Sequence, residues 1–467
     1  MSRLVLAVAA TLLFAGCVSA NLNPLATAPG VVKDLLPQKD SLWPDHQNAP
    51  HPSFGWPTLT HPATSANAPA FWKPIPAAPN VTKITGLKHL AQSTKDVKGG
   101  AGIALFGSLA LVPSDSTTNY VVDISDPSAP KLLSKYDGNE RGAAIMAMPD
   151  GRLYGVVSTG PGFDVVNLTD PTHAEILTPV KTPMGGHKLG LVPGTPIVYN
   201  ANSRGGGPGS AESGQGNGET EIYDLSDPAA PVLVQEFKNG FGCHHIFFWI
   251  SAEKQRALCA GIEVTQIWDI ADPKAPKIIS QISMPLGKPA PSDPSGVIFS
   301  HTAFLNEKGD VLIVGDELDG GAFGVCDGVH TPAGDKSALW GNLWFYDIKD
   351  EKNPKMLGWF SPPPSQVTDP RAPSAPANPT DPFGTVFGIP GCTAHHGRLV
   401  PDPEGKRQLV AMAWYSAGVV LIDFTDPANA KLVDEWNPGT NTWEAWYDNG
   451  YIFTGDLARG LDVLTFK

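Results

Sequence analysis

The sequence predicts an all-β fold assembled from one repeated four-stranded unit, and three observations predict it. An apolar phrase ending in Asp-Pro recurs along the 467-residue chain, and glycine and proline are abundant at 49 and 46 residues. Within the copies, short apolar runs of strand length are joined by Gly-containing turns such as PDG, PGT and EKG. Such a chain is rich in turns and poor in long helices.

The phrase reads YVVDISDPSAP at 120–130, FDVVNLTDP at 163–171, EIYDLSDPAAP at 221–231, QIWDIADPKAP at 266–276, WFYDIKDEKNP at 344–354 and VLIDFTDPANA at 420–430, with a degenerate LDVLTFK at the end. Asp123, Asn167, Asp224, Asp269, Asp347, Asp423 and Thr465 mark the matching position, and their spacings are 44, 57, 45, 78, 76 and 42. The short spacings suit a four-stranded propeller blade, and the long ones require insertions. In each copy the apolar run reads as a strand buried between blades. Asp-Pro then stops it, because proline fixes φ and donates no hydrogen bond while aspartate caps the turn. One such sheet cannot bury both faces, whereas seven packed radially can. The expectation is a seven-bladed β-propeller over residues 83–467. Its last blade lacks an outer strand, which the segment near Lys83–Ala91 would supply, closing the ring and removing an open edge.

The N-terminus has the form of an export signal over residues 1–20. Arg3 precedes the apolar run LVLAVAATLLFAG, and small residues at Val18-Ser19-Ala20 offer a cleavage site. The rival reading is a lipid anchor through Cys17, for which Phe14 is a tolerated but not a favoured neighbour. Residues 21–82 form a proline-rich extension, read as a leader or a strap. No later segment has the apolar length of a transmembrane helix. The formal charge of −13 argues against nucleic acid or anionic membrane as partner, and the chain reads as an extracellular monomer.

Cys243, Cys259, Cys326 and Cys392 suggest two disulfides in an exported chain. Cys326–Cys392 would brace two long loops. Cys243–Cys259 looks awkward, because a hairpin turning near Glu253 sets Cys243 opposite residue 263, and the four intervening residues span roughly 13 Å. The pairing stays open. Asn80 and Asn167 head glycosylation sequons, with Asn80 the better placed because Asn167 falls within a predicted strand.

Four histidines occupy one point of four successive repeats: His187, His244, His301 and His395, in HKLGLV, HHIFFW, HTAFLN and HHGRLV. If the strand each one leads is innermost, the ring brings them together at one mouth of the channel. The insertions at 203–219, 285–299, 318–342 and 361–392 fall at that same mouth, and the opposite face has short turns. Elaborate loops on one face of a rigid scaffold are where binding and catalysis usually sit. Converging imidazoles suit a divalent transition metal such as zinc, copper, iron or manganese. Second strands end at the same mouth with Asn202, Glu263 and Glu317, and with Asp316 and Asp456 close by. Glu317 would complete the metal sphere or act as general base on a bound water. The candidate set is thus His187, His244, His301, His395 and Glu317. Ala143 and Trp443 stand near the matching position in blades without the histidine, and the doublets His244-His245 and His395-His396 leave open which member faces inward.

The competing reading is that these histidines bond neighbouring groups and lock blade to blade. No Ser or Cys nucleophile lies in a recognisable elbow, and no phosphate-binding or dinucleotide loop appears. Asp137-Gly138-Asn139-Glu140 lacks the further ligands of a calcium loop. Trp436, Trp443 and Trp446 read as packing between blades ahead of a sugar platform.

The strand phrase, with the contexts GCHHIFFW, FSHTAFLNEKGDVLIVGDE and CTAHHGRLVP, resembles the LVIVD-repeat family of β-propellers over roughly residues 100–467, in its secreted bacterial or fungal branch. The resemblance implies a propeller and extracellular placement and carries no agreed activity. The expected function is a metal-organised small-molecule site in the channel mouth, with lyase, hydrolase or oxidase chemistry if it is an enzyme. The alternative is a non-catalytic extracellular module whose loops at 318–342 and 361–392 grip a protein or glycan.

Overall fold

A computed structural model describes residues 70–79, 81–93, 96–114, 117–138, 142–148, 150–201, 219–262, 264–283, 299–317, 341–363, 393–415 and 417–467. Helix among them is limited to three-residue 3-10 turns at Ala70–Trp72, Pro171–His173 and Pro427–Asn429. The rest of the regular structure is antiparallel sheet. Five sheets have four strands, and an eight-stranded sheet joins two further four-stranded units through one parallel bridge between His396 and Glu444. The described residues therefore form seven four-stranded units, called blades 1 to 7 below.

Each blade runs outward in chain order. The innermost strands are Ala104–Phe106, Ala143–Ala147, Lys188–Leu191, His245–Ile250, Ser300–Leu305, Ala394–Val400 and Thr442–Asp448. Those of consecutive blades pack side by side from the first to the seventh. The histidine-led strands are thus innermost in blades 3 to 6. The fourth strand of blade 7 is Leu87–Gln92, which pairs antiparallel with Gly460–Phe466, Leu87 opposite Phe466 and Gln92 opposite Asp462. One apolar cluster holds Ile103, Val112 and Val122 of the first blade together with Phe453, Leu461 and Val463 of the last. Trp72 and Ile75, in the segment before the repeats, are buried, and Trp72 sets its edge against Phe106 at 5.1 Å.

The repeated phrase forms the third strand of each blade, and its central residues are buried between neighbours, as in Gly418–Asp423 and Val264–Asp269. The residue at the matching position ends the strand and turns its side chain onto its own backbone. Asp123, Asn167, Asp224, Asp269, Asp347 and Asp423 each accept the N–H two residues on, at 2.8–3.1 Å. The second aspartate of each turn repeats the device: Asp126, Asp170, Asp227, Asp272, Asp350 and Asp426 accept the N–H two residues further on, at 3.0–3.2 Å. Two consecutive side-chain-to-backbone turns explain why Asp is repeated there. Blade 5, whose turn reads Asp-Glu, keeps both bonds, so proline is dispensable where aspartate remains.

The register expectation for Cys243 and Cys259 is overturned, because these residues form a disulfide with Cα atoms 5.4 Å apart. That expectation extended the ladder straight back from Ile250, but the chain leaves it before His245. Gly240 and Gly242, just before Cys243, adopt φ of 91° and 70°, a region that favours glycine, so the backbone there is not an extended strand. Cys326, Cys392, Asn80, the export signal and lipid-anchor readings, and all but the end residues of the four insertions lie outside the described residues. The strand ends that flank the insertions, Ala201 and Glu219 among them, stand at the histidine end of the channel. Asn167 ends its strand with its side chain engaged in the turn.

Candidate metal centre

The site is built by irregularities at the start of the innermost strands. In a regular strand successive side chains point to opposite faces, so one member of each histidine doublet would be lost to the blade interior. Bulges remove that restriction. In blade 5, Ser300 lies opposite Asp316 and Thr302 opposite Gly315, with His301 as the extra residue. In blade 6, Ala394 lies opposite Trp414 and Gly397 opposite Met412, so His395 and His396 share the space of one partner. Blade 7 repeats the shift at Trp443. In blade 4 the His244 N–H bonds the Ala260 carbonyl at 2.6 Å, while His245 is the residue paired with Ala260.

As a result six imidazoles form one buried chain of contacts. His187 and His244 place Nε2 atoms 3.2 Å apart. His244 and His301 have ring centroids 4.6 Å apart, and His301 and His395 4.2 Å. His396 lies 4.5 Å from His301 by the same measure, and its Nδ1 stands 3.2 Å from Nδ1 of His245. Both members of each doublet therefore reach the cluster, which the doublets alone left undecided.

Glu317 is inserted between two of the imidazoles. Its Oε2 is 3.0 Å from His301 Nε2 and its Oε1 is 3.5 Å from His395 Nε2. The Tyr415 hydroxyl donates to Oε1 at 3.0 Å. Nδ1 of His395 meets the Trp443 carbonyl, which fixes that ring's orientation. His187 is positioned through its backbone: Ser158 donates to the His187 carbonyl at 2.7 Å and accepts the Gly142 N–H at 2.9 Å. Glycine is required at 142, because a Cβ there would sit 2.9 Å from the His187 carbonyl oxygen and from Lys188 Cα.

Two groups of donors have ligand atoms mutually within 4.8 Å: His244, His301 and Glu317, and His301, His395 and His396. All these residues are buried. Burial in the crowded channel holds the pKa values of His245, His301 and His396 well below the ordinary imidazole value. Lys188 and the adjoining imidazoles add to that effect in all three. A neutral imidazole keeps a lone pair for a metal. Nδ1 of His301 and Nε2 of His396 are buried without a hydrogen-bond partner.

The remaining acidic candidates do other work. Asp316 accepts the Phe299 N–H at 3.0 Å. Asp456 accepts the Thr440 and Thr442 hydroxyls and the N–H groups of Ala458 and Arg459, and burial raises its pKa to about 7. Asn202 and Glu263 lie outside the described residues. Trp436 stacks on His89 in blade 7, while Trp443 packs against His395 and Tyr415 at the site and Trp446 lies under Arg398. Sequence reasoning left His245 and His396 open as alternatives to His244 and His395, and missed Tyr415 as a site residue. Tyr415 had a readable signal, since it follows the second strand of blade 6 as Glu317 follows that of blade 5.

The LVIVD repeat family matches residues 117–138. No curated protein matches the chain. Among solved structures, the β-propeller domain of Cps50 (Swd1) from Myceliophteria thermophila is similar at 11% identity and a TM-score of 0.49, covering 82% of this chain and 100% of that one. Sqt1 from Saccharomyces cerevisiae is similar at 9% identity and a TM-score of 0.46, covering 80% of this chain and 82% of its own. A functionally unknown protein from Desulfotomaculum acetoxidans DSM 771 is similar at 12% identity and a TM-score of 0.42, covering 70% and 82% respectively. The chain is thus a β-propeller of four-stranded sheets that carries a match to the LVIVD repeat at residues 117–138.

Proposed function

We propose that the protein is an exported β-propeller whose channel mouth holds a divalent transition metal and, on it, a small-molecule ligand. The observation that carries this reading is the apposition of imidazole nitrogens beside a carboxylate in a buried space. Two nitrogens bound tetrahedrally to one zinc at ~2.0–2.1 Å lie about 3.3 Å apart, close to the 3.2 Å between Nε2 of His187 and Nε2 of His244. Orphaned imidazole nitrogens deep in a protein are costly unless a proton or a metal engages them. The donors, imidazole with one carboxylate, suit zinc, copper, iron or manganese. His244, His301, His395 and Glu317 would hold the ion, with His187 as a further imidazole.

A bound ion of this class supplies Lewis acidity and lowers the pKa of a bound water. Glu317 lies within reach of His301, His395 and the Tyr415 hydroxyl, so it is placed to hold or move a proton at Oε1. The Trp443 carbonyl orients His395, which directs its Nε2 toward Glu317. Metal-assisted lyase, hydrolase and oxidase chemistry all fit this set. Export is supported by the signal-like N-terminus and by the disulfide between Cys243 and Cys259, a bond that persists in oxidising compartments. No helix among the described residues is long and apolar enough to cross a membrane.

Elemental analysis of purified protein tests the reading. A stoichiometric transition metal is expected, lost in a His301→Ala, His395→Ala double variant that keeps the fold by circular dichroism. Protein that stays metal-free after incubation with zinc, copper, iron and manganese overturns it, and leaves an extracellular binding module.

A further inference from the structure

The segment before the repeats lies as a strap across the Asp-Pro face. Read backward from the closing strand, it passes from one blade interface to the next. Ile84 joins the apolar cluster of blades 6 and 7, Ile75 that of blades 7 and 1, and Trp72 that of blades 1 and 2. Turns between first and second strands, which share this face, hold its backbone. The Ser108 N–H donates to the Phe71 carbonyl at 3.2 Å and the Asn449 side chain to the Ile75 carbonyl at 2.7 Å. The Arg407 guanidinium donates to the Ile84 carbonyl at 2.9 Å. Ile84 is only twelve residues beyond Trp72, so a short length of strap passes two blades.

One position of the outer strand differs between blades according to whether the strap reaches it. At the start of that strand an apolar pair stands at a bulge. In blade 1 the pair Leu132-Leu133 is half-buried, packed on the clusters that hold Ile75 and Trp72. In blade 6 the bulged Val433 is half-buried on the cluster that holds Ile84. The matching pairs Ile176-Leu177 of blade 2 and Leu233-Val234 of blade 3 are exposed, and Val232 beside them is 57% exposed. Among the described residues, every exposed large apolar side chain lies on the outer strands of blades 2 to 5, five of the seven in blades 2 and 3. The Thr178 hydroxyl donates to the Ala229 carbonyl at 3.3 Å, so the two groups adjoin across the blades. An apolar patch along an open strand edge is a surface that proteins cover.

We propose that the strap continues upstream of Ala70 over blades 2 and 3, with residues 51–69 covering these outer strands. The chain reaches Trp72 from that side. Phe71 packs on the cluster of blades 1 and 2 together with Ala174, which directly precedes the outer strand of blade 2. The upstream sequence also offers a second anchor of the same make-up, since Phe54-Gly55-Trp56-Pro57 resembles Phe71-Trp72-Lys73-Pro74. Trp56 stands sixteen residues before Trp72, which at the pace of the described strap reaches blade 3. Phe54 and Trp56 would then lie on Leu233 and Val234, and the residues between the two anchors on Ile176 and Leu177. Proline-rich chain suits this path, because it stays extended without a hydrogen-bonded partner. The histidine mouth, on the opposite face, is left open, so this docking is independent of what the mouth binds.

Photocrosslinking on the full chain tests it. With p-benzoylphenylalanine introduced at Val232, irradiation, proteolysis and mass spectrometry are expected to find links to residues 51–69 of the same chain. Phe54→Ala together with Trp56→Ala is expected to lower their yield at least about fivefold. Links to a second copy, seen as a doubled mass under denaturing conditions, would assign the patch to a dimer and overturn the strap. Links to other segments only, no links at all, or an unchanged yield in the double variant would overturn it too. Should the probe at Val232 prevent folding, the same probe at Leu177 decides, with residues 51–69 again the expected target.

Discussion

The two faces of the propeller use repetition in opposite ways. On the Asp-Pro face the repeated side chain bonds its own backbone two residues away, so the bond that recurs in every copy forms within its own turn, even where a neighbouring blade adds a contact as Lys274 does to Asp224. On the histidine face the repeated side chain meets its counterpart in another blade, 57 residues away for His187 and His244 and 151 for His245 and His396. A repeated polar residue that satisfies itself locally builds structure. One that is satisfied only across the ring builds a site, because no single repeat can hold its partner.

The largest effect that separates the faces is expected from pH. His245, His301 and His396 are held neutral in the folded chain, whereas the unfolded chain protonates them below about pH 6.5. Unfolding then takes up protons, so stability is full above that value and falls as the pH drops from it. With about 1.4 kcal/mol per group per pH unit, three groups give a slope of up to about 4 kcal/mol per unit. The turn aspartates Asp126, Asp347 and Asp350 have pKa values lowered by their turn hydrogen bonds, so their contribution is lost only as the pH falls below the ordinary aspartate range. Urea denaturation of metal-free protein at pH 7.5, 6.0 and 5.0 should show the loss in the first window. A flat profile between pH 7.5 and 5.0 would remove the buried neutral imidazoles from the comparison.

A smaller effect is expected at Gly142. Alanine there would drive a Cβ into the backbone of residues 187–188, at a cost of about 1–3 kcal/mol. It should displace His187 and lower metal affinity, whereas Gly151→Ala, whose Cβ meets nothing within 4 Å, carries only the strain of its φ of 93° and should leave metal affinity unchanged. Metal titration of the two variants checks this.

Double-mutant cycles address the contrast directly. His245→Ala with His396→Ala should be non-additive, with a coupling of roughly 0.5–3 kcal/mol, because the rings are in contact. The smallest effect belongs to Asp123→Ala and Asp423→Ala, each about 1 kcal/mol for the lost turn bond. The pair should be additive within about 0.5 kcal/mol, since the turns lie in blades 1 and 6. Coupling at the aspartates, or additivity at the histidines, would erase the distinction between the faces.

Much of the fold was legible because its signals are local. Strand length, the Asp-Pro stop and the period of the phrase all act within one copy, and the closing strand near Lys83–Ala91 could be inferred from the missing partner of the last blade. The site was legible only at the level of recurrence. His187, His244, His301 and His395 could be grouped, and Glu317 placed beside them, from their positions in the repeat. His245, His396 and Tyr415 could not, because the strand period of two assigns neighbours to opposite faces and a bulge is invisible in apolar patterning. The pairing of Cys243 with Cys259 stayed open for a similar reason, since a register extended from the hairpin does not foresee the backbone turn at Gly240 and Gly242.

Sequence alone thus determined the repeat, its turns, the strands that face inward and the residue types that gather at one mouth, because each depends on contacts a few residues long. Only the tertiary structure decided which imidazoles touch and that Glu317 stands between His301 and His395. Those distances depend on the closure of the whole ring and on bulges of a single residue. A local pattern carries no record of either.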